Sequence, residues 1–315
     1  MTPEEWIAAL QQGDRRALAK ALTIIESQHS EDEAQACALV ERLPLSAATS
    51  LRIGITGPPG AGKSSLIEAL GLCYLSLFPE NRIGVLSIDP SSPLSQGSIL
   101  ADKTRMPELS RHPRAFIRPA PSGQFLGGTT RHSQEALQLF EAAGCNWILV
   151  ETVGTGQSEH LIRHLVDLVV VLQVPSSGDA LQAMKKGILE IADLIAVNKA
   201  DGATLQAAQI FASELAHAVP SHTPVLLLST QQSASVQALL QEVLKREGQQ
   251  APVRVEKRLS QRAAYFPVEL ENYVMQHLAQ SSKFVALQQS YAIRVQTQSI
   301  HPWRACEAVF REFFV

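Results

Sequence analysis

The chain has 315 residues, 45% of them hydrophobic and 18% charged, and its formal net charge is −3. That length carries one full α/β core with flanking elements, and so small a net charge excludes the strong basic field that nucleic acid or an acidic lipid surface would need. No segment comes near the roughly 18 uninterrupted apolar residues of a bilayer-spanning helix, and the first ten residues carry acidic groups without a long apolar run. A cytoplasmic protein with neither a membrane nor a nucleic-acid partner is expected.

Residues 1–50 read as an N-terminal helical region. Asp14 is placed to cap a segment whose Leu18, Leu22 and Ile25 share one face, and Ser30 with Glu33 fits a capping box opening the next helix, which Pro44 ends. From residue 51 the pattern changes to short β-branched runs separated by helical stretches, at 51–56, 82–89, 115–118, 147–151, 168–174, 194–198 and 225–229. Near-continuous apolar strands alternating with helices imply an α/β fold, a mainly parallel sheet with helices on both faces, over residues 51–250. After Glu247-Gly248-Gln249-Gln250 strand signals become sparse. Leu270, Tyr273, Val274, His277 and Leu278 follow helical spacing, and Trp303, Cys306, Phe310 and Phe313 repeat it in a final helix opened by Pro302, so 251–315 reads as a C-terminal helical extension. Cys37, Cys73, Cys145 and Cys306 lie far apart without CxxC or CxH spacing. They read as buried apolar thiols rather than a disulfide framework or metal cluster.

The strongest signal is Gly57-Pro58-Pro59-Gly60-Ala61-Gly62-Lys63-Ser64-Ser65, which fills GxxxxGK[ST] between a strand and a helix. The glycines let the loop curl so that backbone N–H groups point at phosphate oxygens, and the helix beginning near Lys63 adds the positive end of its dipole. Lys63 is expected to contact the β- and γ-phosphates. Ser64 offers a hydroxyl to Mg²⁺, a hard cation that prefers oxygen ligands.

Asn198-Lys199-Ala200-Asp201 ends an apolar strand, the position where α/β sheets bind ligands, and matches the guanine-type NKxD motif. The Asp201 carboxylate can accept from guanine N1–H and the exocyclic amine. Adenine offers an acceptor and a carbon-bound hydrogen there, so an unsatisfied buried carboxylate penalises ATP. Ser229 and Thr230 end the next strand, with Gln231 after them, and their backbone amides are candidates for guanine O6.

Trp147-Ile148-Leu149-Val150-Glu151-Thr152-Val153-Gly154 resembles a Walker B and switch II arrangement, with Glu151 where most GTPases have Asp. Glu151 is expected to hold a magnesium-bound water, and the Gly154 N–H to follow the γ-phosphate. A carboxylate ending a buried strand is costly unless a cation or donors meet it. Asp89, which opens Asp89-Pro90-Ser91-Ser92-Pro93, and Asp102 downstream are further candidates; one or both complete the metal shell, or either caps a helix. Hydrolysis of GTP to GDP and phosphate needs an in-line water and a group that orients it. Thr155 stands where many small GTPases carry the switch II glutamine, and Gln157 follows two residues later, so slow intrinsic turnover accelerated by a partner is expected.

Together GPPGAGKSS, DPSSP with GSILADKTRM, ETVGTGQSE, GDALQAMKKG and NKAD resemble the MeaB/ArgK group of metallochaperone-type P-loop GTPases over nearly the whole chain. The resemblance implies a G-domain, GTP/GDP and Mg²⁺ as ligands, and a homodimer joined through 251–315. It also implies a partner, an adenosylcobalamin-dependent acyl-CoA mutase of the methylmalonyl-CoA type, whose cofactor loading and protection the protein gates. By the same resemblance Lys63 and Ser64 serve phosphate and magnesium, Asp89, Asp102 and Glu151 the magnesium environment, and Asn198, Lys199 and Asp201 guanine. Residues 176–190 become a third switch in which Gln182 and Lys185 couple nucleotide state to the mutase; from the residues alone that stretch is an amphipathic helix with exposed lysines.

The chain departs from the group at Leu94-Ser95-Gln96, Ala101, Thr155 and Ser229-Thr230. Those changes leave nucleotide binding intact and bear on switch kinetics and partner identity, since a glycine-poor switch has fewer accessible conformations. A nickel-insertion maturation GTPase is an alternative, but it would need soft or imidazole ligands close in sequence, and the nine histidines and four cysteines form no such cluster. A kinase acting on a transport protein is a second alternative, against which NKAD argues by disfavouring ATP. A nucleotide-stabilised scaffold with negligible turnover is a third.

Overall fold

The computed structural model describes residues 2–27, 29–43, 50–89, 105–121, 132–152, 162–175 and 186–314. These divide into two compact units, Met1–Arg262 and Ala263–Val315.

The first unit is built on a seven-stranded parallel sheet of β1 (Leu51–Thr56), β2 (Ile83–Asp89), β3 (Ala115–Pro121), β4 (Trp147–Thr152), β5 (Leu168–Gln173), β6 (Leu194–Val197) and β7 (Val225–Leu227). Their order across the sheet is β3-β2-β4-β1-β5-β6-β7. β1, β4, β5 and β6 are buried along their whole length, the pattern of parallel strands covered on both faces, whereas the edge strand β7 is only half-buried. Every strand expected from the sequence is present.

Helix α1 (Pro3–Gln11) opens on a capping box in which Thr2 and Glu5 exchange side-chain to backbone bonds. Helix α2 (Arg15–Glu26) is capped as expected by Asp14, whose Oδ1 accepts from Arg16 N at 2.7 Å and Ala17 N at 3.2 Å, and it buries Leu18, Leu22 and Ile25. Helix α3 (Ser30–Val40) corrects the sequence reading. His29 is its N-cap and Ser30 its first helical residue. The Glu33 N–H donates to the His29 carbonyl at 3.1 Å, so the amide that a Ser30 cap would need is bound within the helix. Pro44 lies outside the described residues.

Helix α4 (Lys63–Leu77) follows the first strand and packs Leu66, Ile67, Leu70 and Tyr74 onto one face of the sheet, with each fully buried aliphatic contributing about 1.5–3 kcal/mol. The Tyr74 ring stacks on Trp147 of β4, centroids 4.0 Å apart and planes at 18°. After α5 (Pro107–Arg111), helix α6 (Ser133–Ala142) packs against α1 and α2. Beyond α7 (Lys186–Glu190) and α8 (Leu205–Ala218), helix α9 (Ser233–Gln250) lies beside α4. A 3₁₀ turn, Ala251–Val253, leads into α10 (Arg254–Gln280).

The start of α10 is tied to the amino ends of β1 and β5 by a buried ion network. The Asp167 carboxylate accepts from Arg52 N at 2.8 Å and from Arg258 Nε at 2.8 Å and Nη2 at 2.5 Å. Glu141 accepts from Ser50 Oγ, from Arg52 Nε and Nη2, and from Arg258 Nη1. Arg254 and Arg258 both donate to the Ser50 carbonyl. Burial alone would raise the Glu141 carboxyl, yet Arg52 and then Arg258 hold it below its ordinary value.

The second unit comprises the later part of α10, α11 (Ser282–Gln296) and α12 (Pro302–Phe314). Phe284 and Phe313 meet edge to face at 5.4 Å, and Tyr291 donates to Glu312. Phe266, Leu270, Tyr273, Val274, Met275, Ile293, Phe310 and, most of all, Trp303 at 77% remain exposed. The cysteines also differ from expectation. Cys145 is buried and Cys73 half-buried, but Cys37 and Cys306 are exposed because their helical positions face solvent.

Candidate functional site

β1 lies between β4 and β5, so the carboxyl ends of β1, β4, β5 and β6 converge on one edge of the sheet. Gly57 leaves β1 with φ +146°, and a Cβ there would sit 2.0 Å from the Leu172 carbonyl oxygen, so only glycine lets the loop turn against β5. Gly60 and Gly62 also take positive φ, +77° and +92°. The loop is thereby wound so that α4 begins at Lys63.

Lys63 is 8% exposed, and its Nζ donates to the Gly57 and Pro58 carbonyls at 2.8 and 3.1 Å. The ammonium is held over the loop that the sequence assigns to phosphates. Ser64 Oγ donates to Glu151 Oε1 at 2.9 Å, and Ser87 Oγ of β2 approaches the other oxygen at 3.4 Å. Glu151, 8% exposed at the end of β4, thus shares its buried charge with hydroxyls. A hydroxyl and a carboxylate brought together at a phosphate loop are the hard oxygen donors that magnesium takes, so the residues fit that ion. Asp89 ends β2 next to this point, since its neighbour Ile88 pairs with Thr152. Asp102, Gly154, Gln182 and Lys185 lie outside the described residues.

Asn198, 2% exposed, donates from Nδ2 to the Ala61 carbonyl at 2.7 Å, while its own N–H donates to Gln173 O at the end of β5. A Cβ on Gly62 would lie 2.6 Å from that Nδ2, so the loop glycine makes room for the asparagine. Lys199 adopts a left-handed φ of +60°, a strained setting that sharply redirects the chain. Asp201 Oδ2 then accepts from Ser229 Oγ, and Gln231 N donates to the same hydroxyl at 3.3 Å. Thr230, half-buried, follows Ser229. The phosphate loop, the Asn198–Asp201 loop and the Ser229–Gln231 turn therefore form one rim.

Three supporting side chains escaped the sequence reading. Ser87 is the lone hydroxyl within Val85-Leu86-Ser87-Ile88, a polar interruption of an apolar strand that could have drawn notice. Ser235 Oγ donates to Ser229 O at 2.7 Å and accepts from Ser229 N at 3.0 Å, and Thr204 Oγ1 donates to the Asp201 carbonyl at 2.8 Å. Neither has a distinctive signal in sequence, because each acts on backbone only three or six positions away, a local contact open to many serines and threonines near a helix start.

Residues 18–282 match the family described as methylmalonyl Co-A mutase-associated GTPase MeaB. The chain is 48% identical over 211 residues to the probable GTPase Rv1496 of Mycobacterium tuberculosis (strain ATCC 25618 / H37Rv), covering 67% of this chain and 62% of that protein. It is 46% identical over 201 residues to the GTPase ArgK of Escherichia coli (strain K12), covering 64% and 60% respectively. The chain thus spans about three-fifths of the length of these curated relatives. A crystal structure described as LAO/AO transport system kinase superposes with a TM-score of 0.71 at 29% identity, covering 99% of this chain and 98% of that one.

Proposed function

The chain belongs to the MeaB family of mutase-associated P-loop GTPases, and we propose that it hydrolyses GTP with Mg²⁺ and uses the nucleotide state to gate adenosylcobalamin loading and protection of a cobalamin-dependent acyl-CoA mutase. The observation that most supports this reading is the Asn198–Ala61 hydrogen bond of 2.7 Å, which holds the proposed base-reading loop against the proposed phosphate loop.

In this reading the loop amides and the dipole of α4 receive the phosphates, and Lys63 exchanges its carbonyl partners for β- and γ-oxygens. The Asp201 carboxylate, steadied by Ser229, selects guanine by accepting from its two N–H groups. Ser64 and Glu151 would hold magnesium, Glu151 through a bound water, with Asp89 and Asp102 completing its surroundings. When bound, the ion supplies neutralisation of the charge on the β- and γ-phosphates. The Gly154 amide follows the γ-phosphate, and Gln182 and Lys185 carry the nucleotide state to the mutase. The protein works in the cytoplasm as a homodimer whose apolar contacts come from the exposed face of α10 and α12.

Calorimetry with GTP, GDP and ATP, with and without magnesium, tests the nucleotide part. Equal affinity for adenine and guanine nucleotides would sink it. Phosphate release measured alone and with a purified methylmalonyl-CoA mutase tests the partner: stimulation and co-migration on gel filtration are expected, and a mutase that leaves the rate unchanged and does not co-migrate argues against that role.

A further inference from the structure

A second concavity lies at the opposite edge of the sheet. It has a volume of about 150 Å³ and is formed where Gly13, Asp14 and Arg15 meet the starts of β2 and β3, with Arg82, Arg114 and Cys145 in its wall. The phosphate loop leaves the carboxyl end of β1, whereas this cleft opens at the amino ends of the strands, on the order of 20 Å away at about 3.3 Å per residue.

Two guanidinium groups here are fixed in place without being neutralised. Arg15 directs Nη1 to the His112 and Pro113 carbonyls at 3.0 and 3.2 Å, and its guanidinium carbon lies 6.0 Å over the Phe116 ring. Arg82 directs Nη1 to the Ala143 carbonyl at 3.1 Å. It packs on Gly13, where a Cβ would fall 2.0 Å from Nη1, so that glycine with φ +75° makes the space the guanidinium fills. Among the described residues neither arginine forms an ion pair. Among the described residues each hydrogen-bonds through Nη1 alone and its Nε–Nη2 edge makes no hydrogen bond, and that is the edge whose two parallel N–H groups grip a carboxylate or phosphate.

The remaining wall does little to offset the charge. Arg114 donates to the Leu75, Phe78 and Asn81 carbonyls, again neutral acceptors. The Cys145 thiol, pushed up to about 12 by burial, stays uncharged. His112, which precedes Pro113 of the wall, is held below its usual value by burial and by Arg114 and Arg15. Among the described residues Asp14 is the one carboxylate in the wall, and its Oδ1 accepts the capping bonds of α2.

We infer that the cleft between residues 13–15 and the starts of β2 and β3 is a binding site for a small oxyanion, a phosphate or carboxylate group, gripped by Arg15 and Arg82. It is separate from the nucleotide site and does not depend on how that site is read.

The test follows the arginine Nε–H signals of the ¹⁵N-labelled full chain during titration with inorganic phosphate and, in a parallel arm, with succinate. Saturable shifts at two arginines are expected in the native chain and also in Lys63→Ala, which disables the other phosphate site. In Arg15→Ala, with the thermal midpoint without ligand reporting any loss of structure, the apparent Kd should rise roughly tenfold or more, the scale of a lost charge-assisted bidentate contact. Arg82→Gln should do the same, with its thermal midpoint without ligand reporting any loss of structure. Saturation by either oxyanion supports the site, and the tighter one gives the ligand class. No saturable shift with either, unchanged titration in Arg15→Ala, or loss of titration in Lys63→Ala alone overturns it.

Discussion

The Asn198 side chain donates to the Ala61 carbonyl 137 positions earlier in the chain, at 2.7 Å and out of contact with water. One amide thereby fastens the loop proposed to read the base to the loop proposed to hold the phosphates. Asn198→Ala removes the tie and strands a buried carbonyl. A stability loss of about 1–3 kcal/mol is expected, together with weaker binding of GTP and GDP alike. Calorimetry that found affinity unchanged would show the two loops to be independent.

Asp201 should govern which purine binds. Asp201→Asn replaces an acceptor with a donor, so GTP affinity should fall by about two orders of magnitude, the scale on which sites reject a mismatched hydrogen-bonding partner. Xanthosine triphosphate, with a carbonyl where guanine has an amine, should bind the variant better than it binds the native chain. Competition binding with the two triphosphates reads this directly.

Gly57 and Gly60 both have positive φ but differ in surroundings. A Cβ at Gly57 meets the Leu172 carbonyl at 2.0 Å, whereas at Gly60 nothing lies within 4 Å. Gly60→Ala should therefore cost only backbone strain, about 1 kcal/mol. Gly57→Ala must displace the loop from β5 and should cost about 3 kcal/mol or more. Thermal midpoints of the two variants decide the order, and equal losses would refute it.

The ion network at the base of the sheet predicts sensitivity to acid. Glu141 is held below its ordinary value of 4.5. A carboxylate depressed in the folded state stabilises the protein above its unfolded value, and that contribution is lost as the pH falls through the folded one. The thermal midpoint should drop as the pH is lowered below about 4.5. Glu141→Gln should be less stable by about 3 kcal/mol at neutral pH, through buried arginines losing a partner. It should also show a shallower acid limb; an identical acid limb would assign the loss to other groups.

The uncovered apolar face of the second unit makes association testable. Leu270→Asp combined with Phe310→Asp should convert a dimer at micromolar concentration to a monomer by light scattering, with GTP binding unchanged. A native chain that is already monomeric would sink the dimer.

The sheet was legible because its strands are uninterrupted runs such as Leu168–Gln173, whose composition admits little else between helices. The phosphate loop was legible because glycine spacing and lysine act locally. Ser235 and Thr204 were not, since a serine or threonine near a helix start has many uses and a spacing of six or three residues to Ser229 and Asp201 does not say which is taken. Ser30 misled for a related reason: the helix was entered one residue earlier, and the pairing of a hydroxyl residue with Glu33 looked the same either way. The Asp167–Arg258 pair, 91 positions apart, leaves no local pattern at all.

The Tyr74–Trp147 stack joins the helix that begins with Lys63 to the strand that ends with Glu151. It gives the molecule an intrinsic optical gauge. Trp147 at 1% exposure and Trp6 at 4% are both shielded while Trp303 is already wet at 77%, so in a Trp6→Phe background a red shift in indole emission on unfolding reports departure of that helix from the sheet. Loosening of the scaffold that carries Lys63 and Glu151 can thus be followed in real time without an attached dye.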